Sequence, residues 1–262
     1  MGDPHLNPAE YDFVAARRRI EGKAKSAAEK LTSLEDAASR VKDGDRIGVG
    51  GCLFSRTPLA LMREILRQRR RGLTLARNLT CNEGELFMAA RAVSRVMTAW
   101  MSIGLPWGVS KILRHYVETG AVALEEWSHL ALGLRFRAGA MGVPFLPALT
   151  MLGSDLVEVG GLKTVQDPYT GETLAAVPAL FPDVALVHVP FGSFPHECYG
   201  LYEADYDHFA EYCAAIDARG PAAVGDYLER YVYGPPTWSD YLDLFGGERM
   251  GLQAKRAREL TR

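Results

Sequence analysis

The feature that most constrains the fold of this chain is an alternation of short apolar runs with amphipathic segments over residues 33–147. The apolar runs are rich in β-branched residues and too short for helices, whereas the segments between them carry apolar residues at helical spacing. Strands with continuous apolar sequence are buried on both faces, which is typical of parallel sheets with crossover helices. The alternation therefore predicts an α/β fold, a mostly parallel sheet with helices on both faces.

Helix-capping and helix-breaking residues indicate where the predicted helices and strands begin and end. Ser33 precedes a helical pattern, Pro58 stands in the first turn of an amphipathic one, and Gly72 follows the end of that helix. The predicted order up to Pro147 is helix 33–45, strand 46–51, helix 57–72, strand 73–80, helix 81–93, strand 94–103, helix 107–120, strand 121–124 and helix 129–141.

The pattern changes after Pro147. We expect a strand at 149–153, a loop or hairpin over 160–182, a last buried strand at 183–189 and then a C-terminal helical segment. His188 lies inside the last apolar run and is predicted to be a core histidine with satisfied hydrogen bonds. Residues 1–32 are predicted as a helical extension packed on the outside of one domain, residues 33–262.

Composition excludes several classes of partner. The net charge of −2 gives no support for a nucleic-acid or membrane-surface partner. No apolar run reaches the roughly 18 residues of a membrane span, and the N-terminus lacks a signal-peptide core. The four cysteines are scattered without CxxC spacing, which favours a reduced, cytoplasmic protein with buried free thiols. The alternative is a zinc site, but its spacing matches no common module; its ligands would be His196, Cys198, His208 and Cys213.

Residues 121–147 carry the strongest candidate for a functional site. A strand runs into Ser128, which is placed to cap a helix, and His129 follows as the first helical residue. Open α/β sheets build their sites where strand ends feed helix N-termini. His129 is therefore either a surface histidine or a neutral donor and acceptor that faces a cleft over the strand ends.

Two further motifs are open to more than one interpretation. The glycines of 48–51 end a strand, but the match to a dinucleotide-binding turn is imperfect because Leu53 stands at the third glycine position. The run is thus a tight bend, or a place where a ligand approaches the backbone closely. Asn82 opens the next helix with Glu83 and Glu85, two carboxylates that could simply complement the helix dipole.

Several segments in order along the chain resemble the α subunits of family I coenzyme A transferases, especially the glutaconate type. The family's helix–turn–strand start resembles SLEDAASRVKDGDRIGVGG, and its Arg-x-Pro helix resembles RTPLALMREILR. Three later elements are similar to RAGAMGVPFLP, GETLAAVPALFPDVALVH and HECYGLYEADYDHFAEY. The resemblance covers most of residues 33–250.

This resemblance implies a CoA-transferase-like fold in a heteromeric enzyme that moves CoA between an acyl-CoA and a carboxylic acid. The nucleophilic glutamate is expected on a β subunit, and the CoA thioester is a substrate, with no permanently bound cofactor and no metal. His129 is the tentative catalytic residue of this chain. The residues expected to bind substrate are Gly50, Gly51, Arg56, Asn82, Ser128 and His129.

Two departures from the family pattern leave other functions open. Many transferases have glutamine where this chain has His129, and the related steroid-ring-cleaving acyl-CoA hydrolases have glutamate. Family members also carry several tens of residues after the strand that ends here at Val189, so the C-terminal half is shortened. The alternatives are an acyl-CoA hydrolase on the same scaffold that cleaves a C–C bond or a ring, and a non-catalytic structural subunit.

Overall fold

The computed structural model describes residues 12–23, 31–103, 108–188 and 206–244. Its helices are α1 Phe13–Glu21, α2 Leu34–Ser39, α3 Leu59–Arg67, α4 Asn82–Ala89, α5 Lys111–Glu118, α6 His129–Met141, α7 Leu156–Val159, α8 Tyr206–Arg219, α9 Pro221–Leu228 and α10 Trp238–Asp243. A π-helical turn, Glu229–Tyr233, follows α9. None of these described helices is both long and apolar enough to cross a membrane.

A five-stranded parallel sheet is the centre of the fold. Its order is β10-β1-β2-β4-β6, and its strands are β1 Arg46–Val49, β2 Leu73–Ala76, β4 Val93–Thr98, β6 Ala123–Glu126 and β10 Val184–Leu186. Since the connections from β1 to β6 pass through helices, the predicted alternation and α/β class are confirmed. The strand expected over 73–80 is interrupted at Arg77 and Asn78. A short parallel pair continues it, β3 Leu79–Thr80 with β5 Trp100–Met101.

A second, antiparallel sheet follows helix α6. It has the order β7-β9-β8 and consists of β7 Phe145–Ala148, β8 Thr164–Gln166 and β9 Thr173–Pro178. Of the two alternatives for 160–182, a loop or a hairpin, the structure therefore shows the hairpin, but the strand predicted at 149–153 is wrong. The strand is β7, four residues earlier, and Met151 adopts a left-handed φ of 71°, which ends extended structure there.

The two faces of the parallel sheet are covered differently. Helices α2, α3, α4, α5, α8 and α9 contribute to one large apolar cluster on the first face. Helix α6 and the antiparallel sheet cover the second face, where Ala76 and Met97 pack with Ala131 and Leu132. A Cβ on Gly48 would lie 3.2 Å from the Phe136 ring, so a glycine at this position lets α6 cross close to β1.

Helix α1 lies against the outside of this body. Its Ala16 packs in a small cluster with Ala138 and Phe181, and Arg19 forms an ion pair with Asp183 at 2.5 Å. The core assignment of His188 is wrong, because β10 ends at Leu186 and both Val187 and His188 are exposed.

The shortened junction after Val189 lies outside the described residues, as do two of the four candidate zinc ligands, His196 and Cys198. Among the described residues no cluster of three His, Cys, Asp or Glu side chains is placed to hold a metal. Of the other two candidate ligands, Cys213 is buried and His208 bonds the Tyr227 hydroxyl at 3.0 Å.

Candidate active site

The candidate site lies at the carboxyl edge of the parallel sheet. The glycine loop, residues 50–57, follows β1, the dipeptide Arg77–Asn78 follows β2, and Ser128 with His129 follows β6. In parallel α/β sheets, ligands bind in the crevice outside the carboxyl ends of the strands. The edge predicted from sequence therefore carries three separate segments.

Ser128 caps helix α6 as predicted. Its Oγ accepts a hydrogen bond from the Ala131 N–H at 3.1 Å, and its extended backbone (φ −70°, ψ 156°) turns the chain into the helix. The same hydroxyl bonds Thr150 Oγ1 at 2.7 Å, which ties the helix start to the turn after β7. The helix ends at Gly142, which has the left-handed φ of 69° typical of a helix C-terminus.

A buried ion pair supports the strand that leads to this cap. Glu125 is 4% exposed and accepts hydrogen bonds from the Arg135 guanidinium and, at 2.8 Å, from the Trp127 indole N–H. The guanidinium also stacks 4.3 Å from the Trp127 ring centroid. Because Arg135 lies on α6, this cluster holds the helix against the end of β6.

His129 is exposed, and the Asn78 side chain holds it. The His129 Nδ1 lies 3.0 Å from Asn78 Oδ1, and the Asn78 amide nitrogen donates to the His129 carbonyl oxygen at 3.1 Å. Asn78 therefore holds both the ring and the backbone of the first residue of α6. It was not predicted from the sequence, because it lies inside the run interpreted as one strand.

The glycine loop is a tight, left-handed bend. Gly51 has a φ of 93°, and a Cβ there would lie 2.6 Å from the Arg56 carbonyl oxygen. Two reciprocal backbone hydrogen bonds of 2.9 Å join Cys52 to Ser55 across the bend. Leu53 and Arg56 have φ values of 49° and 58°, which is uncommon for residues with a side chain and typical of functional loops.

A fully buried arginine holds this loop through hydrogen bonds. Arg77 has no exposed surface and forms an ion pair with Glu83. Its second terminal nitrogen donates to the Leu53 carbonyl at 2.9 Å and to Thr57 Oγ1 at 2.8 Å. Arg77 thus fixes the glycine loop, while its neighbour Asn78 fixes His129. No motif pointed to Arg77, since a charged residue after an apolar run is typical of the end of a strand.

The predicted substrate residues are not equally accessible. Gly51, Arg56 and His129 are exposed, and Gly50 and Ser128 are partly buried. Asn82 is only 7% exposed, in the first turn of α4. The asparagine that contacts His129 is instead Asn78, four residues before Asn82 in the sequence.

The two carboxylates of the α4 start do more than complement the helix dipole. Glu83 accepts from the Cys81 N–H at 2.9 Å in addition to its pair with Arg77. Glu85 is fully buried and accepts from Ser110 Oγ at 2.5 Å and from the Tyr212 hydroxyl at 2.6 Å. Burial raises the pKa of Glu85 to about 7 in spite of these donors.

An apolar cavity of about 310 Å³ lies beside strand β6. It is bordered by both residues that flank the Ser128–Thr150 contact, Trp127 and Met151. Its polar side chains are Glu125 and Glu126, and the rest of its lining is Val117, Leu124, Leu156, Val159, Gly160 and Leu162. The cavity is therefore suited to an uncharged group rather than to an anion.

Comparison with known proteins agrees with this fold. The coenzyme A transferase family model matches residues 31–195, more than half of the chain, and this protein belongs to that family. The solved glutaconate CoA-transferase of Acidaminococcus fermentans has the same fold, with a TM-score of 0.72 at 21% identity. The match covers 84% of this chain and 94% of that one.

Two relatives are named for different reactions. One is a subunit of the 3-oxoadipate CoA-transferase of Pseudomonas knackmussii, 36% identical over 165 residues, which is 60% of this chain. The other is the cholesterol ring-cleaving hydrolase IpdA subunit of Mycobacterium tuberculosis, 33% identical over 171 residues, 63% of this chain. The matches span 57% and 58% of the lengths of these two relatives.

Proposed function

We propose that this chain is the α subunit of a heteromeric cytoplasmic enzyme that moves CoA between an acyl-CoA and a carboxylic acid. One observation carries the proposal. Two carboxylates near the carboxyl edge are engaged in buried ion pairs, Glu83 with Arg77 and Glu125 with Arg135, while His129 and the glycine loop remain accessible. Neither of these two carboxylates is free to act as a nucleophile, which supports the expectation from the family resemblance that the nucleophilic glutamate belongs to a β subunit.

In this scheme the α chain supplies the binding surface. The exposed bend of the glycine loop lets the substrate approach the backbone, and His129 lies at the same edge of the sheet. The β-subunit glutamate attacks the acyl-CoA carbonyl and is then converted to a glutamyl-CoA thioester, from which CoA passes to the acceptor acid.

A trapping experiment tests this proposal. The chain is co-purified with its partner, incubated with an acyl-CoA in the presence and absence of an acceptor acid, and treated with borohydride or hydroxylamine. We expect acceptor-dependent turnover and a modified glutamate on the partner by mass spectrometry. Turnover that needs no acceptor and leaves no trapped glutamate would contradict transfer.

A second function, hydrolysis of an acyl-CoA, is favoured by the contact between His129 and Asn78. A hydrolase needs a group that activates water or a substrate carbon, and an exposed histidine held in one orientation can do so. The variant His129→Gln separates the two functions, because it should lower hydrolysis strongly by removing the base, whereas transfer depends on the partner's glutamate and should continue. His115→Gln, the same change at an exposed histidine of α5, is the matched control.

A further inference from the structure

We infer that His129 accepts a proton through Nε2 and that Asn78 is the positioning residue that gives it this role. The inference rests on the proposed function in one respect, since the cleft must hold an acyl-CoA. It deepens the second of the two functions, hydrolysis of an acyl-CoA, by naming the reaction step in which the histidine takes part.

The orientation of the Asn78 amide follows from its two contacts. The His129 carbonyl oxygen can only accept a hydrogen bond, so the Asn78 NH₂ group must face it, at 3.1 Å. The remaining amide oxygen then faces His129 Nδ1 at 3.0 Å. That oxygen can also only accept, and the contact therefore requires a proton on Nδ1.

The other ring nitrogen is left as the acceptor. A neutral imidazole carries one N–H, so a proton on Nδ1 leaves a lone pair on Nε2. Among the residues that the structure describes, none forms a hydrogen bond with Nε2, and the side chain is exposed at the carboxyl edge.

The Asn78 backbone is held firmly enough to fix this arrangement. Its carbonyl oxygen accepts hydrogen bonds from the N–H groups of Ala99 and Trp100, each at 3.2 Å. The preceding Arg77 N–H donates to the Met97 carbonyl at 3.0 Å, and the Arg77 side chain is fully buried. The amide therefore projects from the rigid end of strand β2.

This tautomer decides what the neutral ring can do. With a lone pair on Nε2 the ring cannot donate a hydrogen bond to a thioester oxygen, but it can remove a proton. In hydrolysis, Nε2 takes a proton from water as the water oxygen attacks the acyl-CoA carbonyl, and the imidazolium remains bonded to Asn78 through Nδ1–H. The ring then returns the proton to the departing thiolate, which gives the acid and free CoA.

Nitrogen NMR on histidine-labelled protein tests the assignment without any substrate. The full chain contains six histidines, and the His129 signals are those missing from the His129→Gln variant. We expect a protonated, pyrrole-type Nδ1 and a pyridine-type Nε2 in the neutral ring. Asn78→Asp keeps an acceptor and should keep this tautomer, whereas Asn78→Ala should shift the population toward Nε2–H.

The matched control is Gln166→Ala, which removes an exposed side-chain amide in strand β8 and should leave the His129 signals unchanged. Circular dichroism checks the fold of each variant. A pyridine-type Nδ1 in the unmodified protein overturns the inference. An unaltered tautomer in a folded Asn78→Ala variant does so as well.

Kinetics of the co-purified complex then test the base role. His129→Gln should lower kcat for acyl-CoA hydrolysis by about 100-fold or more with little change in KM, and Asn78→Ala should fall between this variant and the unmodified enzyme. Hydrolysis at an undiminished rate in His129→Gln overturns the base role. An enzyme with the expected tautomer but no turnover of any acyl-CoA would instead refute the proposed function.

Discussion

Replacement of Arg77 by methionine should destabilise the protein severely. The substitution keeps most of the side-chain volume but leaves the Glu83 carboxylate, which is 1% exposed, without its cation. The breaking of a buried ion pair by removal of one partner costs about 3–5 kcal/mol. Total folding free energies are only about 5–15 kcal/mol, so the loss is a large fraction of the stability.

Lost hydrogen bonds should add little to the destabilisation by Arg77→Met, because acceptors of the guanidinium have other donors. The Leu53 carbonyl also accepts from Thr57 Oγ1 at 2.9 Å, so it keeps a hydrogen bond when the guanidinium is gone. Glu83 likewise keeps its bond from the Cys81 N–H. The uncompensated charge is therefore the dominant cost, and the double variant Arg77→Met/Glu83→Gln should recover at least about 1 kcal/mol of it.

Urea unfolding followed by circular dichroism measures both quantities, with the pair arranged as a double-mutant cycle. Amide hydrogen exchange at Cys52 and Ser55 gives a second reading, because Arg77 holds the loop that they bridge and exchange should accelerate without it. The reasoning is refuted if Arg77→Met lies within about 1 kcal/mol of the unmodified protein. It is also refuted if the double variant is no more stable than the single one.

Two further predictions concern packing and pH. On helix α6, Gly139→Ala places a Cβ against the Leu180 carbonyl oxygen and should lower the free energy of unfolding by about 1–3 kcal/mol. Gly133→Ala places its Cβ in open space on the same helix and should raise the free energy of unfolding by about 0.5–1 kcal/mol. Thermal unfolding measures both variants, and equal effects would contradict the packing argument. For Glu85, the folded-state pKa of about 7 lies above its ordinary value of 4.5, so the folded state holds a proton that the unfolded state has lost between these values. The free energy of unfolding of the unmodified protein, relative to that of Glu85→Gln, should therefore fall by up to about 3 kcal/mol as pH rises from about 4.5 to about 7. The prediction is refuted if the urea midpoints of the two proteins differ by the same amount at about pH 4 and at about pH 8.

Local signals predicted the framework of this protein because they act within a few residues of the chain. Ser128 and Gly142 mark the start and end of α6, and both act through neighbouring backbone groups. The prediction of a strand at 149–153 was wrong because it relied on three apolar residues, Leu149, Met151 and Leu152, whereas the backbone turns at Met151. Apolar composition alone does not distinguish a strand from a turn.

The candidate site could be predicted only in part, because its decisive contacts join residues far apart in sequence. Asn78 and His129 are separated by 51 positions, and Arg77 reaches Leu53 across 24. Nothing in the run 73–80 distinguishes an asparagine that holds a catalytic candidate from one that ends a strand. Asn82, which was expected to bind substrate, is buried, whereas Asn78, for which the sequence carried no signal, contacts His129.

The interruption of the strand at Arg77 and Asn78 has a structural cause that also explains the site. A continuous strand would place consecutive side chains on opposite faces of the sheet. Here Arg77 holds the glycine loop and Asn78 holds His129, and both side chains bond at the carboxyl edge. The matching break between β4 and β5 lets two consecutive N–H groups, Ala99 and Trp100, bond the Asn78 carbonyl. The neighbouring strand thus supports the same dipeptide. Because of this irregular sheet edge, two adjacent residues fix the positions of both the glycine loop and His129.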